Sequence, residues 1–310
     1  MIIAQYKFDK SIYDNLIPKF NEGFECTYED IIEDNVTTRT IYSDDLPTIM
    51  SFEEIGSGTL LEVNYMNTSN LVTMYGMFAH CNRLSVVNMS NWDTSKVTNM
   101  CGMFFDCDSL TTLDLSGFNT SNLIDASYMF QDCNNLAYID FANWDTRNLT
   151  TMEGMFNGCT KLQRIEGIEK WNTARNSNWG STFGNCNALT NLDPRNFILT
   201  DAHAMGATFR GCRSVPVENF NFKNWRTPNI QYLSGTFDAV TQIKELDLST
   251  FNVSNVGDIQ GFLGGCSGLE RVDLSNWILT EKHYNWQGDS DKWNPVVNCS
   301  KFALKVGSDN

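Results

Sequence analysis

Apolar and polar residues alternate along this chain in short stretches that return about every 26 residues. In one such stretch Leu113 and Leu115 are flanked by polar residues, an alternation typical of a half-buried strand. The polar run at 119–122 then predicts a turn, and Met129 and Phe130 bring the chain back to the core. Each unit is therefore expected to contribute one short strand and a turn-rich return.

Two aromatic columns fix the register of these units. The motif Met-Phe-x-x-Cys recurs, and the members of its Phe column are 26, 26, 26, 27, 26, 28 and 26 residues apart. They are Phe78, Phe104, Phe130, Phe156, Phe183, Phe209, Phe237 and, substituted, Leu263. A second column comprises Trp92, Phe118, Trp144, Trp171, Phe197, Trp225, Phe251 and Trp277. A fixed period of this size predicts stacked coils rather than a globular enzyme.

The strand segment Leu-x-x-Leu-Asp-Leu-Ser-x-Phe, the turn Thr94-Ser95-Lys96-Val97 and the Met-Phe-x-x-Cys closure together resemble the BspA-like bacterial leucine-rich repeat family over roughly residues 58–282. The resemblance implies a β-rich, right-handed leucine-rich-repeat solenoid. It would have about nine short parallel strands with turn or short-helix closures, in a surface or adhesion-type protein. Val240 replaces the Cys, Leu263 the Phe and Glu218 a strand Leu. The coil at 215–225 should therefore be the most distorted.

Three regions follow from the extent of the repeat. Residues 1–57 are expected to form a β-rich module, with strands at 2–8 and 49–52 and a hairpin turning at 33–35. This module would cap the open end of the stack, either with no other role or while also attaching the protein to a particle or a second copy. Residues 58–282 form the solenoid. Residues 283–310, with Trp286, Trp293 and Phe302, would form a C-terminal cap or, alternatively, a contact surface.

Charge and hydropathy exclude some partners. A net charge of −15 and a pI near 4.5 argue against nucleic acid or an anionic membrane. No stretch has the ~18 apolar residues of a membrane span, and Lys7 and Asp9 interrupt any signal-peptide core. We expect either a processed form or another route out of the cell, such as assembly into a phage-like particle. A homo-oligomer would form through residues 1–57 or the solenoid sides.

Seven of the ten cysteines occupy one repeat position. They are Cys81, Cys107, Cys133, Cys159, Cys186, Cys212 and Cys266. Coils ~4.8 Å apart would allow disulfides by distance, but a column of reduced, buried thiols is favoured because pairing would leave one of the seven unmatched. The three histidines fall in different coils.

An acidic column is expected to point outward. It comprises Glu62, Asn88, Asp114, Asp140, Glu166, Asp193, Asn219, Asp247 and Asp273. Aligned carboxylates repel one another, and something must offset the repulsion. The alternatives are solvation with hydrogen bonds from Ser and Thr, a row of cations bound along the column (a cation ladder), or a cationic partner. A cation ladder has only one carboxylate per coil, whereas calcium prefers six to eight oxygens.

The column two residues earlier varies in chemistry. It comprises Val86, Thr112, Tyr138, Arg164, Asn191, Val217, Glu245 and Arg271. Variable side chains on a regular scaffold build a binding face, although they are equally compatible with unconstrained surface. Tyr138 and Arg164 are the predicted hot spot, since Tyr and Arg dominate interface energetics.

The sequence offers no catalytic triad, phosphate loop or metal-ligand spacing, so we expect neither an enzyme nor a cofactor. The leading hypothesis is a recognition protein that presents its solenoid face to a cell-surface glycan or protein and is mounted on a phage or phage-like virion, as a tail or fibre component, through residues 1–57. A bacterial surface adhesin and a purely structural virion subunit are the alternatives.

Overall fold

The computed structural model describes residues 1–11, 16–53, 58–275, 277 and 303–305, and the part described is β-rich. The strands are β1 (Ile2–Asp9), β2 (Lys19–Phe20), β3 (Thr27–Glu33), β4 (Val36–Tyr42), β5 (Met50–Ser51), β6 (Leu60–Met66), β7 (Val86–Val87), β8 (Thr112–Asp114), β9 (Tyr138–Asp140), β10 (Arg164–Glu166), β11 (Glu245–Asp247), β12 (Arg271–Asp273) and β13 (Ala303–Lys305). Short 3-10 helices span Ile168–Lys170, Pro194–Asn196 and Val217–Asn219. Within these described ranges, no helix is both long enough and apolar enough to span a bilayer. Most of the predicted C-terminal cap, including Trp286, Trp293 and Phe302, lies outside the described residues.

The N-terminal strands continue directly into the first repeat. One sheet has the order β3-β4-β1-β6-β7, in which β1 pairs antiparallel with both β4 and β6, and β6 pairs parallel with β7. The predicted strand at 2–8 and the hairpin at 33–35 are confirmed, because β3 and β4 pair from Glu33↔Val36 outward. The predicted strand at 49–52 is present as the two residues of β5, which pair with β2. Strand pairing thus covers the open edge of the first coil.

Successive coils are joined by two parallel ladders. The first is the strand ladder, in which β8, β9 and β10 pair in register and β11, β12 and β13 do the same. The second runs through single bridges that link equivalent positions in consecutive coils. Its members are Thr73, Asn99, Asp125, Thr151, Asn178, Ala204, Tyr232 and Asp258. Positions 26 to 28 residues apart along the chain are therefore held side by side by parallel bridges.

Aromatic rings form the axis of the core. The Phe column stacks ring on ring, with centroid separations between 5.4 and 6.1 Å. It begins at Phe52, one coil before the first Phe of the sequence motif, because Phe52 stacks on Phe78 at 5.7 Å. Leu113 and Leu115 are buried while Asp114 is exposed, as the alternation predicted.

The strand ladder is interrupted in two consecutive coils. A 3-10 helix (Val217–Asn219) replaces the strand in the coil where distortion was expected, and the preceding coil also lacks a strand and contains the 3-10 helix Pro194–Asn196. Proline explains the break at Val217–Asn219, since it has no N–H to donate to a ladder. Pro216 occupies the position at which Thr190 in the coil before donates its N–H to Gln163 O at 3.1 Å.

Candidate functional site

The variable column lies along the strand ladder and defines what we call the strand face. Thr112, Tyr138 and Arg164 are paired directly in register across β8, β9 and β10. Glu245 and Arg271 are paired across β11 and β12. Neighbouring members therefore sit one strand spacing apart, ~4.8 Å, on a backbone held by parallel hydrogen bonds.

Tyr138 and Arg164 are neighbours, but each is also held within its own strand. Arg164 donates two hydrogen bonds to Glu166 Oε2, at 2.9 and 2.7 Å. The Tyr138 hydroxyl is 3.5 Å from Asp140 Oδ2. Both carboxylates thus orient side chains of the strand face, and the hot spot predicted from sequence is a preordered pair of aromatic and cation.

The Asn191 side chain forms hydrogen bonds with the backbone of this ladder. Its Oδ1 accepts a hydrogen bond from the Ile165 N–H at 3.0 Å, and its Nδ2 donates to Ile165 O at 2.8 Å. The side-chain amide thereby replaces the backbone strand that this coil lacks. We predicted Asn191 as a ligand-binding residue, but its amide is already engaged in closing the edge of β10.

A groove of about 680 Å³ opens beyond this break. Its charged lining combines Glu218, Lys223, Glu245, Asp247, Arg271 and Asp273, with Phe220 and Val217 supplying apolar surface. Arg271 and Glu245 form an ion pair across adjacent coils. The groove exists because the 3-10 helix at Val217–Asn219 turns the chain away from the ladder, so the missing strand leaves a recess next to β11.

The acidic column is explained by turn formation at the strand ends. The carboxylates of Asp114, Asp247 and Asp273 each accept a hydrogen bond from the backbone N–H two residues later, at 3.0 to 3.1 Å. Asn88 does the same without a charge, at 3.2 Å. The hydroxyl and N–H of Ser116 lower the pKa of Asp114, and Arg195 lowers that of Asp193. Hydrogen bonds are thus present at these positions, as one of the three expected ways of offsetting the repulsion requires.

The predicted placement of Glu62 in this column is wrong. The β6–β7 pairing sets Glu62 beside Val86, with an offset of 24 residues in place of 26, so Glu62 aligns with the variable column. Its carboxylate forms an ion pair with Lys7 of β1 at 2.7 Å. Bulges in the β1–β6 pairing shift the register of this first coil. Among the residues described here, no three His, Cys, Asp or Glu side chains converge as a metal site.

The seven thiols of the cysteine column are buried and form no disulfide, as favoured from the sequence. Cys107, Cys133 and Cys159 donate to the Phe carbonyl of the preceding coil at 3.0 to 3.1 Å. Burial raises the pKa of the Cys133 thiol to about 12. A thiol that stays protonated and enclosed is a packing group and not a nucleophile.

Strand β3 forms an exposed edge of the N-terminal sheet. All seven of its residues are exposed, including Ile31 at 65% and Ile32 at 52%. Its other side pairs with β4, and Arg39 of β4 makes two 2.7 Å hydrogen bonds to Asp30. An exposed edge strand with apolar side chains is a template for pairing with another chain.

The sequence reading missed the part of the groove contributed by Glu218, Phe220 and Lys223. Pro216 was the available signal, because a proline at a position where the ladder needs an N–H donor predicts a break.

Three overlapping segments of the chain, residues 49–138, 133–224 and 203–287, match the family described as "Mycoplasma protein of unknown function, DUF285". The chain belongs to this family. The three matches follow one another along the repeat. The first begins at residue 49 and therefore includes Phe52, the first ring of the Phe stack.

No curated protein is significantly similar to the chain. Among solved structures, a leucine rich cell surface protein from Faecalibacterium prausnitzii A2-165 is similar with 11% identity and a TM-score of 0.22, over 93% of this chain and 99% of that one.

Proposed function

We propose that this protein is a non-catalytic recognition protein whose stacked coils form a right-handed leucine-rich-repeat solenoid that binds a cell-surface glycan or protein through the strand face. The observation that carries the proposal is the in-register alignment of chemically different side chains on one rigid ladder. Tyr138 and Arg164 meet on β9 and β10, and the ladder then opens into the charged groove beside Glu245 and Arg271. Rigid, preordered aromatic and Arg side chains bind at a low entropic cost.

Attachment is the second part of the proposal. The N-terminal sheet joins the first coil through β1 and β6, which leaves β3 free at the opposite edge. We propose that β3 accepts a strand from the protein on which this chain is mounted, by edge-to-edge pairing. A phage or phage-like particle and a bacterial surface are the two settings, and co-purification with particles distinguishes them.

A binding assay with matched variants tests the strand face. Fluorescently labelled full-length protein is titrated onto a panel of bacterial cells and a glycan array. The double variant Tyr138→Ala, Arg164→Ala should lose at least about 10-fold in apparent affinity on every positive target. Its melting temperature should match that of the wild type, since both side chains point away from the core.

The control replaces the same residue types away from the strand face. Tyr232 is 54% exposed and lies on the second ladder, and Arg175 is an exposed residue bonded to Asn148. Tyr232→Ala with Arg175→Ala should bind like the wild type. Equal binding by both double variants would place recognition elsewhere, and absence of binding by the wild type to every target would favour a structural subunit.

A further inference from the structure

A second cavity, of about 340 Å³, lies away from the strand face, over the turns that carry the second ladder. Its walls include Glu53, Tyr75, His80, Phe105, Tyr128 and Gln131. Its volume falls at the lower end of the range of small-molecule sites. Three aromatic side chains from three successive coils therefore converge on one recess.

Tyr128 occupies a backbone position that the repeat otherwise gives to small residues. Equivalent positions with φ between 55° and 63° hold Gly76, Gly102, Gly154, Ser181, Ala207, Gly235 and Gly261, whereas Tyr128 has φ 57°. A bulky side chain in the left-handed region costs about 1–3 kcal/mol, and such strain is concentrated at functional sites. The Tyr128 ring lies over Gly154, where an added Cβ would sit 2.6 Å from its Cδ1.

The surroundings of the cavity are negative. The Glu53 carboxylate lies against Gly76, and burial followed by the Glu153 carboxylate raises the pKa of the Tyr128 phenol. Burial, followed by the charges of Asp125 and Glu153, raises the pKa of the half-buried Cys101 thiol to about 11. Among the lining residues that the structure describes there is no Lys or Arg, and His80 is paired with Asp106 at 3.0 Å.

Aromatic walls beside a carboxylate select a cation with apolar substituents, because the ring faces carry negative potential and a cation placed over them is attracted. An anion would be repelled by the carboxylates. We propose that this cavity binds an ammonium group, held by the Glu53 carboxylate and the side chains of Tyr75, Phe105 and Tyr128. A choline headgroup and the side chain of a lysine residue share this chemistry. The site is separate from the strand face, so either proposal can fail alone.

Titration calorimetry on the full-length protein tests the site with choline chloride and with an acetylated, amidated lysine as probes. The neutral carbon isostere of choline, with tert-butyl in place of trimethylammonium, controls for apolar binding. Binding of either cation at least about 10-fold tighter than the isostere is expected. Tighter binding of choline would indicate a headgroup, and tighter binding of the lysine derivative a protein side chain.

Two variants distinguish an effect on ligand binding from an effect on the stability of the fold. Tyr128→Gly removes the aromatic ring and should abolish binding. Because it restores the small residue of the repeat, the melting temperature should stay equal or rise. Ala207→Gly is the matched backbone control and should bind normally. Glu53→Gln keeps the shape of the site and should weaken binding at least about 10-fold, because it removes the charge that attracts the cation. Equal binding of the isostere, unchanged binding by Tyr128→Gly, or no cation binding at about 10 mM would overturn the proposal.

Discussion

Replacement of Asn191 by Ala tests whether a single side chain closes the broken strand ladder. Asn191 makes both hydrogen bonds that a neighbouring strand would make to Ile165, at 3.0 and 2.8 Å. Ile165 is fully buried. In Asn191→Ala the N–H and the C=O of Ile165 lose their partners together, at a place where the coil on that side has no strand to offer.

The expected cost follows from the environment of these two groups. A hydrogen bond contributes about 0.5–1.5 kcal/mol, and a buried group left without a partner costs about 1–3 kcal/mol. Two such groups, partly rescued by water entering at the break, give about 2–4 kcal/mol of lost unfolding free energy. Asn191→Asp should be similarly destabilising, because it keeps an acceptor for the N–H but sets an oxygen against Ile165 O.

The assay combines urea unfolding with amide hydrogen exchange. Exchange at the Ile165 N–H should accelerate at least about 30-fold, as a loss of 2 kcal/mol implies. The control is Thr190→Ala, which removes an exposed hydroxyl that donates to Gln163 O at 3.0 Å and that water can replace. Unchanged exchange at Ile165, or equal destabilisation by the two variants, would refute the reasoning.

Two further predictions concern the periodic columns. The buried thiols should make the fold sensitive to alkali. Burial raises the pKa of Cys133 from 9.0 to about 12, so its stabilising effect is complete below pH 9 and is lost as the pH rises from 9 towards 12. The loss reaches about 4 kcal/mol at about 1.4 kcal/mol per pKa unit. Cys133→Val introduces the residue that Val240 provides at the same repeat position, and it should reduce the dependence of the urea midpoint on pH. An unchanged slope would show that other groups cause the pH dependence. Asp114→Asn should leave the melting temperature within about 1 °C, because Asn88 makes the same turn, and calcium should raise it no more than magnesium does. A calcium-specific rise that the variant loses would restore the cation ladder.

The periodic parts of this molecule were predictable because packing imposes the same demand on every coil. Phe78 to Phe237 had to stack, and the strand at Leu113 had to alternate, so both follow from the spacing alone. Phe52 escaped notice because its segment lacks the Met and Cys of the motif, although its ring completes the same stack. Tertiary pairing can place a residue in the repeat that its local sequence does not mark.

Register was the less predictable quantity. Counting back 26 residues put Glu62 in the acidic column, but pairing with β1 introduces bulges and shortens the offset to 24. The two coils without strands were foreseen only in part, through Glu218, whereas the decisive residues are Asn191 in the first of these coils and Pro216 in the second. In both cases a local irregularity changes the hydrogen bonding between coils but leaves the spacing of apolar residues unchanged. Sequence periodicity shows only that spacing, so it does not reveal the irregularity.

The same distinction separates structural from functional positions in this chain. Wherever a side chain satisfies the backbone of its own or a neighbouring coil, as Cys133, Asp114 and Asn191 do, its identity follows from the fold. Tyr128 satisfies no such demand, since its backbone angle favours glycine and seven equivalent positions have small residues. The fold alone therefore does not account for a tyrosine at this position, and for that reason the aromatic cavity is the place to look for a ligand.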